Sequence, residues 1–279
     1  MAGTQQSRKV LLLGASGKLG RMLGALWQSQ RFTLIPVYRS GGQGGLAWKV
    51  GDPTPKVDDV SAVIAFWGVT PGQGCNLNDN SRLALAAMEL GQSLGARMVV
   101  HCSSGAVYRS GDRPLSETGP ACPMSDYGRA KLAMEKAIEE SGSNPGMRNV
   151  ILRIGNVAGA DSLFANMRPG GRITLDRFPD GSSPSRSYIS PLDLVRLVET
   201  LVADGSVSGI YNVAAPVPTA MGDIARAAGC QIDWREAPDT ALPMVWLDTS
   251  RLSSIFPLPP EAAAPDHLLE GARAGGTWP

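Results

Sequence analysis

"VLLLGASGKLGRML" (residues 10–23) is the stretch on which the fold turns. Four apolar residues, 10–13, follow two basic ones and stop at a glycine, as in a short parallel strand buried on both faces. Gly14, Gly17 and Gly20 then recur every three residues, and a helix is expected from about 18 to 27. Each glycine has a task in such a strand–turn–helix. One permits the tight turn, one lets the backbone approach a diphosphate, and one allows close helix–strand packing. The helix start offers free N–H groups and the positive end of its dipole to phosphate. Ser16, Lys18 and Leu19 fill the turn and fall within the same expected dinucleotide site. A plain glycine turn is the competing reading in a chain with 33 glycines. The position of the motif, between first strand and first helix, favours the binding role.

Outward from this turn the same alternation repeats. Strands are expected at 33–38, 62–68, 98–104, 149–157 and 209–215, and helices at 80–96, 126 to about 140, and 190–205. "SGGQGG" (40–45) reads as a flexible loop. Continuous apolar strands alternating with helices call for an open, doubly wound parallel sheet of the α/β class, with right-handed crossovers. Residues 158–184 and 216–279 break the alternation and are richer in Pro, Gly and Arg. They are assigned to a small substrate lobe over the carboxyl ends of the strands, where such sheets bind ligands. The expected division is 1–157 plus 190–215 for the dinucleotide-binding core, and 158–189 plus 216–279 for the lobe.

Composition narrows the function. The chain has 279 residues, 43% of them apolar, enough for a sizeable core. Lys plus Arg number 26 against 25 acids, so charge gives no case for nucleic acid or a membrane surface as partner. Cys75, Cys102, Cys122 and Cys230 are scattered without a CxxC pair, which reads as reduced thiols and no metal site. "MAGTQQSRK" (1–9) has no apolar signal region, and no run is long enough to span a bilayer. A soluble, cytoplasmic protein with a small-molecule substrate is expected.

The second strand ends "VYRS" (37–40), with no acid where NAD-binding folds hold the adenosine ribose. Arg39 and Ser40 could instead hold a 2′-phosphate, with Lys18 adding charge, so NADP is preferred over NAD. A solvated Arg39 is the plainer alternative. Asp52 is placed to meet an adenine amino group, or is an ordinary turn aspartate. "HCSSGAVY" (101–108) ends a central strand with Ser103 and Ser104, and "SDYGRAKLAMEK" (125–136) opens a helix with Tyr127 and Lys131 one turn apart. An ammonium beside a phenol lowers the phenol's pKa from near 10. Tyr127 would move a proton at a substrate hydroxyl or carbonyl, and Ser104 would polarise its oxygen. His101 reads as a buried, hydrogen-bonded strand residue rather than a catalyst. Trp48 and Trp67 read as packing, with Trp67 the better placed to reach a ligand.

Taken in order, "GASGKLG", "AFWG", "SSGAVY", "YGRAK", "LRIGNVAG", "RSYISPLDLV" and "GIYNVA" resemble the extended short-chain dehydrogenase/reductases, or NAD-dependent epimerase/dehydratase family. The likeness runs to about residue 215, with a weaker echo in "LDTSRLSSIF" (247–256). It implies a Rossmann-like sheet, Ser104, Tyr127 and Lys131 as catalytic residues, and Lys131 also on the nicotinamide ribose. It implies that Phe66, Trp67 and Gly68 line the cofactor groove, with Ser103 beside the cofactor. Ile154 and Asn156 would lie at the nicotinamide end, Asn156 also touching substrate, and Arg186 would hold a substrate phosphate. Relatives often form a homodimer by pairing the helices that hold "SRLALAAMEL" and "YGRAKLAMEKAI" here, and the same apolar faces could instead be ordinary core. Departures appear at Ser187 and Ser190, where relatives commonly carry an acid and a histidine. The segment from 159 to 186 is shorter than nucleotide-sugar enzymes usually devote to their pocket, and Arg168 and Arg172 are its candidate anion ligands or solvated surface. The leading expectation is therefore an NADP-preferring oxidoreductase acting on a secondary alcohol or ketone. A sugar epimerase or dehydratase with retained NAD, and a non-catalytic NADP-sensing regulator, are the alternatives.

Overall fold

The computed structural model describes residues 8–40, 44–109, 113–142 and 146–279. The chain runs β1 (Arg8–Leu13), α1 (Lys18–Leu26), β2 (Phe32–Tyr38), β3 (Leu46–Ala47), β4 (Val60–Ala65), α2 (Asp79–Ser93), β5 (Met98–Ser104), α3 (Asp126–Glu140) and β6 (Arg148–Ile154). It continues through β7 (Asn156–Val157), α4 (Ser162–Asn166), β8 (Arg172–Arg177), β9 (Ser185–Arg186), β10 (Tyr188–Ile189), α5 (Pro191–Ala203) and β11 (Gly209–Val213). The remainder is β12 (Thr219–Ala220), α6 (Met221–Ala227), β13 (Gln231–Glu236), β14 (Met244–Val245), α7 (Ser250–Ser253) and α8 (Pro265–Ala274). Part of the loop expected at 40–45, and the start of "MAGTQQSRK", lie outside the described residues.

Seven strands form one sheet in the order β11-β6-β5-β4-β1-β2-β3. β1 pairs in parallel with both β2 and β4, β2 with β3, and β4 with β5. The chain winds outward from β1 in one direction, then returns to β4 and winds the other way. That reversal places a ligand-binding crevice at the carboxyl ends of β1 and β4, where Gly14 and Phe66 follow their strands.

Two compact units make up the chain. The first holds Met1–Ser103, Ser125–Leu152 and Val198–Ile210. β4 is buried along its whole length, as a central strand covered on both faces must be. Leu11, Leu13, Val63 and Val99 meet Ala84, Ala87 and Leu90 of α2 and Met134 and Ile138 of α3 in its core. Each fully buried leucine there is worth about 2 kcal/mol. The apolar faces that could pair helices between copies are thus occupied within the chain's own core.

The second unit holds Ser104–Met124, Arg153–Leu197 and Tyr211–Pro279. Phe164, Met167, Tyr188, Ile224, Leu268 and Trp278 centre its core. β8 and β13 form a parallel ladder of their own, pairing Gln231 with Arg172 through Glu236 with Arg177. The strand expected at 149–157 is in fact broken. At Gly155 a Cβ would stand 2.3 Å from the Ser187 carbonyl oxygen, so the crossing segment permits only glycine there. β7 then pairs with β10 in a separate ladder. No helix among the described residues is long and apolar enough to cross a membrane.

Candidate functional site

The glycine turn has the geometry its spacing suggests. Gly14 has φ +88°, and a Cβ on it would lie 2.6 Å from the Trp67 backbone nitrogen. The Gly17 N–H donates to the Gly14 carbonyl at 2.9 Å, closing the turn. A Cβ at Gly20 would sit 2.1 Å from that same carbonyl, so α1 packs against the turn at backbone distance. Gly17 caps α1 with no side-chain hydrogen bond, so the positive end of the helix faces the turn. These atoms border a cleft of about 500 Å³ within the first unit, lined by Gly14, Ser16, Gly17, Phe66, Trp67 and Gly68. An uncapped helix start beside a cradle that a single Cβ would fill suits the diphosphate of a dinucleotide. The residues present therefore fit the cofactor that the turn suggests. Lys18, Leu19 and Gly20 belong to α1 itself and do not line the cleft.

Arg39 and Lys49 line the same cleft, as do Tyr38, Trp48 and Val50. Ser40 and Asp52 do not line it. Asp52 instead accepts the Lys49 backbone N–H at 3.0 Å, closing the turn after β3, which is the ordinary role of a turn aspartate. Trp48, Lys49 and Val50, which do line the cleft, follow a strand of only two residues. No periodic signal is possible in so short an element. Trp48 and Trp67 stack at 5.9 Å with an interplanar angle of 28°.

Lys131 is a buried charge of the first unit. Ser125 caps α3 by accepting the Gly128 N–H at 3.1 Å, which fixes where the helix begins. One turn further, Lys131 is 3% exposed, and its Nζ donates to the Cys102 carbonyl at 2.9 Å. That Nζ stands 5.8 Å from the centre of the Tyr127 ring. Burial pushes the Lys131 pKa down, opposed by the nearby Glu135 carboxylate. A Cβ at Gly68 would come within 3.2 Å of Nζ and 2.9 Å of Asn80 Oδ1, so the loop after β4 passes directly over the ammonium. Asn80 is buried and ties that loop down: Oδ1 accepts the Val69 N–H at 3.1 Å, and Nδ2 donates to Val69 and Leu77 carbonyls at 3.0 and 2.9 Å. No sequence signal marks this role, since a lone asparagine at a helix start reads as a cap. Ser103 donates to the Glu135 carboxylate, both side chains being buried. His101 pairs with Asn149 at 3.1 Å, and burial lowers its pKa to about 4. It is a neutral, buried strand residue.

In the second unit, Ser104 Oγ accepts the Ala106 N–H at 3.2 Å and shapes the single turn at Gly105–Val107. Ile154 ends β6 and is buried. Asn156 donates to Asp161 at 2.7 Å, and Tyr188 donates to the same carboxylate oxygen at 2.6 Å. Arg186 donates to the carbonyls of Ser185 and Leu242 at 2.8 and 3.0 Å, and burial lowers its pKa. Arg172 pairs with Asp233 at 2.5 Å, while Arg168 reaches the Ala165 and Met167 carbonyls. Ser187 accepts the Leu247 N–H at 2.8 Å. Ser190 donates to Asp193 at 2.8 Å, and His267 meets the same carboxylate oxygen at 2.6 Å. Among the described residues no cluster of His, Cys, Asp or Glu is placed to hold a metal ion.

A doubly wound sheet, a glycine cradle at its switch point, and a buried lysine one turn from a tyrosine define a dinucleotide-binding α/β protein. The family model for the NAD dependent epimerase/dehydratase family matches residues 10–214, and the chain belongs to that family. A UDP-glucose 4-epimerase of Lacticaseibacillus casei is 30% identical over 180 residues, 64% of this chain and 48% of that protein. The chain therefore aligns with about half the length of that curated relative. The dTDP-6-deoxy-L-talose 4-dehydrogenase (NAD(P)(+)) of Kitasatospora kifunensis is 28% identical over 74% of this chain and 73% of its own length. In fold, the UDP-N-acetylglucosamine 4-epimerase of Bacillus cereus superposes with a TM-score of 0.79 at 20% identity, covering 96% of this chain and 100% of that one.

Proposed function

We propose that this chain is an NAD(P)-dependent enzyme acting at C4 of a nucleotide-linked hexose, as a 4-epimerase or a 4-dehydrogenase. The two relatives share that position in their names. They favour the nucleotide-sugar alternative over a simple secondary alcohol, although the short 159–186 segment had weighed against it. The observation that carries the reading is the placement of Lys131, buried, bound to the Cys102 carbonyl and 5.8 Å from the Tyr127 ring.

A nicotinamide dinucleotide held by the glycine turn supplies the hydride acceptor. Gly14, Gly17 and the start of α1 bind its diphosphate, and Trp67 and Gly68 wall the cleft. Tyr127 takes the proton from the C4 hydroxyl through its phenol oxygen as that carbon is oxidised, and returns it on reduction. Lys131 supplies positive charge that favours the phenolate during this exchange. The family resemblance assigns Ser104 to polarise a substrate oxygen, and Asn156 and Arg186 to the sugar nucleotide. NADP is the preferred cofactor, because Arg39 and Lys49 line the cleft and β2 ends without an acid.

The test is purified protein incubated with UDP- and dTDP-hexoses, with and without added NAD or NADP. Inversion at C4 without net cofactor consumption identifies an epimerase, and stoichiometric reduction of the cofactor identifies a dehydrogenase. Turnover of simple alcohols alone overturns the sugar-nucleotide reading.

A further inference from the structure

Two neighbouring residues of β5 are gripped by two residues one turn apart on α3. Lys131 donates to the Cys102 carbonyl, and Ser103 donates to Glu135. Tyr127, Lys131 and Glu135 occupy positions i, i+4 and i+8 of α3, so they lie along one helix face. Lys131 and Glu135 are 3% and 2% exposed. A buried ammonium without a countercharge tends to lose its proton.

The groups that act electrostatically on Lys131 are few. His101 lies on β5 and its pKa of about 4 makes it neutral at pH 7. Cys102 lies on β5, and burial pushes its thiol up, so it too stays neutral. Tyr127 shares α3. The loop over Nζ contributes Gly68 and Asn80, neither of them charged. Of this set, Glu135 supplies the carboxylate.

We infer that Glu135 is a positioning residue of the active site. Its carboxylate, anchored by Ser103, keeps the buried Lys131 in its charged form, so that Tyr127 faces a cation across the working pH range. This rests on the role of Tyr127 and Lys131 proposed above, and it adds a group that does not itself touch substrate.

The experiment is a direct titration of Lys131, independent of turnover. The six lysines in the sequence are labelled with ¹³C at Cε, the Lys131 resonance is assigned with Lys131→Arg, and its shift is followed against pH in native protein, Glu135→Gln and Glu135→Asp. Glu135→Gln keeps an oxygen acceptor for Ser103 and removes the charge. Its Lys131 is expected to deprotonate at lower pH than native, while Glu135→Asp stays close to native. In turnover assays the Gln variant should lose rate more steeply as pH rises, with at least about fivefold greater relative loss at pH 9 than at pH 7. Identical Lys131 titration in all three proteins overturns the inference, as does a loss in both variants that is uniform with pH. Should the Gln variant not fold, a Glu135→Asp protein whose Lys131 titrates far below native also overturns it. A protein with no sugar-nucleotide activity but a Gln-specific shift of Lys131 leaves this inference standing and counts against the proposed function alone.

Discussion

The two units treat their functional side chains in opposite ways. In the first, the candidate groups stand on backbone geometry: Gly14, Gly17 and Gly20 touch main-chain atoms, and Lys131 is held by a carbonyl. In the second, several are tied to other side chains, and Arg186 to backbone carbonyls near and far in sequence. Asn156 is engaged by Asp161, Arg186 by the carbonyls of Ser185 and Leu242, and Ser190 and His267 by Asp193. A cofactor common to many enzymes can be read by a fixed turn. A substrate that varies is met by side chains whose partners vary too.

The sharpest way to break this contrast lies in the first unit. Tyr127→Phe should lower turnover by about 10²–10⁴-fold with the melting temperature little changed, measured by steady-state rates beside a thermal melt. Gly20→Val comes next. Its added carbons meet the Gly14 carbonyl with no room to move, so we expect loss of cofactor binding together with destabilisation of about 3 kcal/mol or more. Denaturant melts and cofactor titration check both parts.

His101 gives a pH test of similar size. Its folded pKa of about 4 lies below the ordinary 6.5, so protonation favours the unfolded chain. Its contribution is fully present above pH 6.5 and is lost as pH falls toward 4, up to an order of 3 kcal/mol. Stability measured between pH 7 and 4 should fall less steeply in His101→Gln, which can still bond Asn149. Arg39→Ala should weaken NADP binding by about tenfold more than NAD binding, if its guanidinium meets a 2′-phosphate. The smallest effect is expected in the second unit. His267→Ala should cost about 1–2 kcal/mol through its bond to Asp193, with cofactor binding by the first unit unchanged.

How much could be read in the sequence follows the same division. β1, β5, α1 and α3 fall where the pattern puts them, because each is set by neighbours within one element. The glycine turn and the Tyr127–Lys131 spacing are local too. β8 and β13 escaped notice because each pairs with a segment some 60 residues away and carries charges among its apolar residues. Asp52 reads two ways in the sequence, as a ligand or as a turn aspartate, and the structure adds its bond to the Lys49 N–H three residues earlier. Asn80 and Glu135 went unremarked because their partners, the loop at 69–77 and Ser103, are brought to them only by folding. The break at Gly155 depends on Ser187 crossing above it, which no local pattern encodes.

The proposed function has Tyr127 and Lys131 serve oxidation at C4 of a nucleotide-linked hexose. The most direct measurement is proton NMR of a UDP-hexose incubated with the purified protein and NAD(P), native and Tyr127→Phe side by side. Inversion or oxidation at C4 is expected with native protein, and a rate at least about 100-fold lower with the variant. Equal rates in the two proteins, or a C4 centre untouched by the native one, would contradict it.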